Sequence, residues 1–135
     1  MRLQESLSYK KLKVWQKAHQ NPLRAIELYR NSNCRKFENI FKQFINAVTS
    51  VGANIAEGSG DFKGREFIRF LNIALRSAFE VDDWINLIKD GKILGTDNTL
   101  MLDVIKTENE QVIKMLIKLI HSQSSFKIEY SKLTT

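Results

Sequence analysis

Two histidines, one cysteine, an acidic cluster and a glycine pair are the residues of this 135-residue chain whose types could support chemistry. Helical bundles build di-iron sites from Glu and Glu-x-x-His on facing helices. Neither His19 nor His121 fits, because the residues three before them are Gln16 and Lys118. The two histidines are also far from the i, i+4 spacing of a helical zinc site. No metal is expected, and His19 reads as a helix-boundary residue. Cys34 stands beside Arg35 and Lys36, cations that could lower a thiol pKa. A nucleophile also needs a base, and none can be placed near it. Gly58-Ser59-Gly60 lacks the strand and the Lys-Ser/Thr of a phosphate loop, so it reads as a helix–helix turn. Glu80 with Asp82-Asp83 reads as a solvated or salt-bridging edge. Trp15 and Trp84 read as core or interface anchors rather than base-stacking platforms. With no catalytic group, metal or cofactor indicated, the expectation is a protein that is not an enzyme.

The remaining chemistry is charge. The net charge is +6. Residues 1–36 hold nine Lys/Arg against Glu5 and Glu27, a net +7, while the other 99 residues hold twelve basic and thirteen acidic groups, a net −1. The basic excess therefore lies in the first quarter of the chain. Such a segment attracts nucleic acid or an acidic protein, although lysines on an exposed helix face can also serve solubility alone. Cys34 has no partner for an internal disulfide, there is no apolar signal core at the N-terminus, and no apolar run approaches the ~20 residues of a membrane span. A cytoplasmic protein that does not enter membranes is expected.

Four helical patterns must position these groups. A single domain of about 9–31, 35–57, 65–89 and 97–122 is expected, with a frayed tail over 123–135. Ser8 is the expected N-cap of the first helix, whose apolar line is Leu12, Trp15, Ala18, Pro22, Ala25 or Ile26, and Tyr29. Pro22 either kinks this helix or splits it; the stripe continuing in phase favours a kink. In the second helix Phe37, Phe41, Phe44, Val48, Val51 and Ile55 step by four and three, a bundle seam. Gly58 is expected in the left-handed conformation that ends a helix. Glu57 then faces the negative end of the dipole and is expected to pair with Arg65 or Arg69. The purpose of Asn54 is not evident.

The third pattern, Phe67, Leu71, Ala74, Ala78, Val81, Ile85 and Ile88, runs without a fault. A second line of Ile68, Leu75 and Phe79 makes this helix apolar beyond what one bundle can cover, which predicts a subunit interface. Asp90-Gly91-Lys92 and Gly95 make the next turn, Thr96 or Asp97 caps the fourth helix, and Met101, Ile105, Val112, Leu116 and Leu119 form its seam. The fold class is all-α, an up-down-up-down four-helix bundle.

Three stretches carry a resemblance. Tyr9-Lys10-Lys11-Leu12-Lys13-Val14-Trp15-Gln16-Lys17-Ala18-His19 is similar to the opening motif of the bacterial four-helix proteins encoded within intervening sequences of 23S rRNA genes. Ala53-Asn54-Ile55-Ala56-Glu57-Gly58 and Glu66-Phe67-Ile68-Arg69-Phe70-Leu71 match that family's two most recognisable stretches, in the same order. The resemblance covers about residues 9–120. A more distant likeness is to the accessory variability protein of diversity-generating retroelements, which joins a reverse transcriptase and binds nucleic acid. What the resemblance implies is a ring-shaped homo-oligomer, a pentamer of bundles, without enzymatic activity and associated with RNA. This chain departs from the family in having Ile45-Asn46 where a basic pair is usual, and Gly52 where Pro is usual. Pro22 is also atypical.

The lost pair moves the expected nucleic-acid surface to helix one, with Lys10, Lys11, Lys13, Lys17, Arg24 and Arg30 contacting phosphates of structured RNA or DNA. The alternative is a scaffold whose basic face docks an acidic protein such as a reverse transcriptase.

Overall fold

The computed structural model describes residues 8–62, 64–95 and 99–134, with side chains described as far as 124. Four α-helices account for most of it: α1 (Lys13–Arg30), α2 (Glu38–Gly58), α3 (Arg65–Asp90) and α4 (Thr99–Thr134). Short 3-10 turns at Ser8–Lys11, Arg35–Phe37 and Ser59–Asp61 precede α1, α2 and α3. Among the described residues there is no strand. Each helix packs on its neighbour in sequence, and α1 closes the square against α4. Pairings run in opposite directions along every junction. Tyr29 meets Phe41 near one end of α1–α2, and Trp15 lies over Gly52 near the other. Likewise Lys89 meets Asp103 while Asp82 meets Lys106 across α3–α4. The packing is antiparallel throughout, as short turns between consecutive helices require.

The core seam of α3 is the expected one. Phe67, Leu71, Ala74, Ala78, Val81, Ile85 and Ile88 are all buried. In α2 the inward residues are Phe41, Phe44, Ala47, Val48, Val51, Gly52 and Ile55. Phe37 is not among them: it belongs to the 3-10 turn ahead of α2 and is 42% exposed. Fully burying a Phe, Leu or Ile stabilises a fold by roughly 1.5–3 kcal/mol, so Phe41, Phe44 and Phe67 are among the largest single contributors.

Helix α1 differs from expectation in phase. Val14, Ala18, Asn21, Ala25 and Leu28 face inward, while Ile26 and Tyr29 lie on the surface. Ser8 does not cap it; Ser8–Lys11 forms its own 3-10 turn, Leu12 is extended (φ −72°, ψ 122°), and the α-helix starts at Lys13. Pro22 sits inside one unbroken helix, so the division considered above does not occur. In α4 the inward residue near the start is Leu102 rather than Met101, and Asn109 fills the gap between Ile105 and Val112. The proposed caps Thr96 and Asp97 lie outside the described residues. Nor does the helix stop at 122. Gln123 is 7% exposed and the helix runs on to Thr134, a stretch with no Gly or Pro to stop it.

The two corners reverse the expected roles of glycine. Gly58 is right-handed (φ −67°, ψ −28°), and α2 runs on into the Ser59–Asp61 turn. Its need for glycine is steric. A Cβ there would lie 2.6 Å from Phe70 Cβ and 3.3 Å from the Phe67 ring, so α3 crosses directly over this backbone. Among the described residues positive φ falls at Gly95 (φ 68°), in the turn after α3, and at Lys92 (φ 52°), at the end of that helix. There Ile93 N–H donates to Ile88 O and Lys92 N–H to Lys89 O, the paired bonds of a Schellman cap with Lys92 in the place usually held by glycine.

Candidate nucleic-acid interface

The six cations expected on one face do three different things. Lys10 and Lys11 lie in the turn before α1, and Lys13 is the first residue of that helix; all three are exposed. None forms an ion pair among the described residues. Lys17 is committed elsewhere, 2.7 Å from Glu108 on α4, and its N–H donor holds that carboxyl below its ordinary range. Arg24 donates to the Asn21 Oδ1 at 2.9 Å. Arg30 stands at the far end of α1, with only a 3.9 Å approach to Glu27. Lys17 and Arg24 therefore serve the bundle, and Arg30 is about 17 residues from Lys13, some 25 Å along a helix rising 1.5 Å per residue.

The cluster that remains is Lys10, Lys11 and Lys13 at the N-terminal end of α1. Its position is electrostatically costly. A helix N-terminus carries about half a positive charge, so cations there lose roughly 0.3–1 kcal/mol each, and α1 has no acidic residue in its first turn to compensate. These lysines are placed against the interest of helix stability. Their turn is held in shape by Leu12 N–H to Tyr9 O (3.0 Å) and by the Gln16 side-chain amide to Lys10 O (2.8 Å). The Tyr9 ring meets Trp15 edge-on at 5.1 Å, and Trp15 stacks on His19 at 4.6 Å with 15° between planes. His19 thus lies within α1 rather than at its boundary, a correction to the sequence expectation.

The corner from Asn54 to Arg69 is held differently from expectation. Arg69 binds Glu66 at 2.9 Å, a carboxyl lowered by that hydrogen bond, rather than Glu57. Neither Glu57 nor Arg65 is in an ion pair among the described residues. Their separation follows from the intervening turn: Asp61 accepts from Glu66 N–H at 3.1 Å and caps α3, so α3 needs no help from Glu57. Asn54 acquires a purpose. Its amide donates to Ser50 O (2.8 Å) and Ser50 Oγ (2.9 Å), and Ser50 Oγ lies 2.9 Å from Ser77 Oγ on α3.

That contact is one end of a polar belt invisible to apolar patterning. Asn21, 3% exposed, donates to Ile105 O of α4 at 3.2 Å, and Asn109, 2% exposed, donates to Ala78 O of α3 at 2.8 Å. All four helices are tied at this level. A buried amide is stable only when bonded, so both asparagines fix the register of their helix against its neighbour. Their interior position is their only sequence signal: each stands where a seam residue is due.

Other chemistry is sparse. Cys34 is buried, and burial raises its thiol pKa, contrary to the lowering that Arg35 and Lys36 suggested. Glu80 accepts from Trp84 Nε1 (3.1 Å) and Asp82 from Lys106 (2.7 Å), so part of the acidic edge is structural. Among the described residues no His/Cys/Asp/Glu group could hold a metal ion, and no helix is long and apolar enough to cross a membrane. On α3, Ile68 and Leu75 are half-buried and Phe79 is 51% exposed.

The pattern of the 23S rRNA-intervening sequence proteins matches residues 10–118. The chain belongs to this family. A solved structure from Bacteroides thetaiotaomicron, described as a protein of unknown function from the S23 ribosomal protein family, is similar with a TM-score of 0.67 and 28% identity. The match covers 80% of the present chain and 95% of that one. No curated protein matches. The matched span of this intervening-sequence family member begins at Lys10 and so includes the lysine cluster, the Trp15–His19 stack and both corners.

Proposed function

We propose that this family member is a non-catalytic, homo-oligomeric bundle of the cytoplasm that holds structured RNA or DNA by its phosphates. The observation that carries this reading is the cluster Lys10, Lys11 and Lys13, without an ion pair among the described residues, at the positive end of α1, where it costs helix stability. A phosphate near that end meets three ammonium groups and the helix dipole together. Arg30 adds a second contact region, and Lys17 and Arg24 leave the set because the bundle uses them. No base sequence is read by these contacts. The half-exposed line Ile68, Leu75 and Phe79 supports assembly of several copies into a ring, which would repeat the cluster around it. A salt titration tests the reading: binding should fall steeply with salt, with a log–log slope that drops by about one for each of the three lysines replaced by Ala. No affinity for RNA or DNA at low ionic strength would overturn it.

A second reading, docking of an acidic protein, has one supporting observation. Leu12, Val14, Met115 and Leu119 floor an open groove between α1 and α4, with Lys13 and Lys118 at its rim. It suits an amphipathic helix with acidic flanks. Co-purification that survives nuclease treatment would favour this reading over the first.

A further inference from the structure

The aromatic rings beside the lysine cluster are arranged as no core requires. Trp15 is half-buried and His19 exposed, so the Trp15–His19 stack lies on the outside of α1, with one imidazole face against the indole. Beneath the indole is Gly52 of α2. A Cβ there would lie 3.7 Å from Trp15 Nε1, so Trp15 rests on the α2 backbone and is held by it. Tyr9 meets the indole edge-on, and its turn is tied to α1 by the Gln16–Lys10 hydrogen bond. The indole Nε1–H of Trp15 has no hydrogen-bond partner among the described residues, whereas that of Trp84 donates to Glu80. A braced ring surface meets, at one end of the bundle, an indole donor and three lysines that have no partner among the described residues. The nearest turn, Ser59–Asp61, brings one acidic residue, and Asp61 is occupied in capping α3.

We propose that the Tyr9–Trp15–His19 stack is a base-stacking site for unpaired nucleotides of a single-stranded or looped nucleic acid. The inference rests on the electrostatic reading above, with Lys10, Lys11 and Lys13 taking the flanking phosphates. A base lies against the open face of the His19 imidazole and extends the existing stack. Every base has a π-face, so the site tolerates any sequence, but in a duplex those faces are already occupied by neighbours. The site therefore discriminates unpaired from paired strands, which lysines alone do not.

The test uses the full chain with Trp84→Phe, leaving Trp15 as the sole tryptophan, titrated at low salt with oligouridylate and with an RNA duplex of equal length. Expected are quenching of Trp15 fluorescence by the single strand and tighter binding of it than of the duplex. His19→Ala should weaken single-strand binding about fivefold to a hundredfold without changing the salt slope, and His19→Phe should restore it. Circular dichroism melting of His19→Ala separates this from unfolding; because His19 is exposed, the melt should be unchanged. Equal affinity for both RNAs, unaltered by His19→Ala yet weakened by Lys10→Ala, would overturn the stacking site and leave the electrostatic reading standing. Absence of binding to either RNA would overturn both.

Discussion

The Asn109 side-chain amide donates to the Ala78 carbonyl across the α3–α4 junction, at 2.8 Å and with Asn109 only 2% exposed. An amide in this position is stabilising while bonded and costly when its partner is lost. Asn109→Ala removes the bond and leaves a small void, so a loss of about 2 kcal/mol is expected, read as a lower urea midpoint with unchanged slope. Asn109→Asp should cost more at neutral pH, since a buried carboxylate would face a carbonyl oxygen.

At Gly58 two effects oppose each other. Alanine is the better helix former by about 1 kcal/mol, but its Cβ would lie 2.6 Å from Phe70 Cβ. Backbone-borne overlap of that size must part α2 from α3, at about 1–3 kcal/mol, and the overlap wins. Gly58→Ala should therefore lower the melting temperature, whereas Gly60→Ala, with nothing within 4 Å, should leave it nearly unchanged.

Lys92 offers the reverse case. A left-handed non-glycine residue costs roughly 1–2 kcal/mol, and glycine gives back part of this through its freer unfolded chain. Lys92→Gly should stabilise the protein by about 0.5–1 kcal/mol in equilibrium unfolding, with the Ile88–Ile93 hydrogen bond retained.

How far the architecture could be read from the residues depended on whether size and side coincide. In α3 they do: seven large or small apolar residues at unbroken four-three spacing are all buried. In α1 they do not. The inward positions are Ala18, Asn21 and Ala25 as well as Val14 and Leu28, while Leu23, Ile26 and Tyr29 face outward, so counting apolar residues puts the seam one step out of phase. Small residues mark α1 as closely packed, and an asparagine in a seam marks a cross-helix hydrogen bond, but its partner is a carbonyl, which any residue supplies. The lysine cluster was legible as charge. That Lys17 and Arg24 were already engaged was not, because their partners lie on α4 and at Asn21 in a register that only packing determines.

The pH dependence of stability follows from ion pairs between helices and one within α3. Hydrogen bonding from Lys17 holds the Glu108 carboxyl below its ordinary 4.5, and Arg69 does the same for Glu66. Folded values below the unfolded ones mean stability that is present above about pH 4.5 and lost as pH falls through the folded values. Lys106 is raised above 10.5 by its hydrogen bond to Asp82, so its contribution is complete below that pH and lost as pH rises through the folded value. A plateau bounded on both sides is expected. Glu108→Gln should flatten the acid limb while costing under about 1 kcal/mol at pH 7, since the pair is partly exposed. Urea unfolding at a series of pH values measures both.

Assembly turns on the outer line of α3. Phe79 is 51% exposed and one residue along from the inward Ala78, so its ring adds little to the core of its own bundle. Leu75 is half-buried one turn earlier, and Ile68 continues the line. A Phe that gains little within its own chain costs solubility unless a second copy covers it. Phe79→Glu places a carboxylate where copies would meet, and desolvating it is far costlier than losing the ring. The expected result is a smaller, folded species by light scattering, with helical circular dichroism retained. Leu75→Glu should reduce both assembly and stability, because it also reaches into the bundle. An unchanged particle mass for Phe79→Glu would place the contact between copies on another face, the next candidate being the exposed Leu23 and Ile26 of α1.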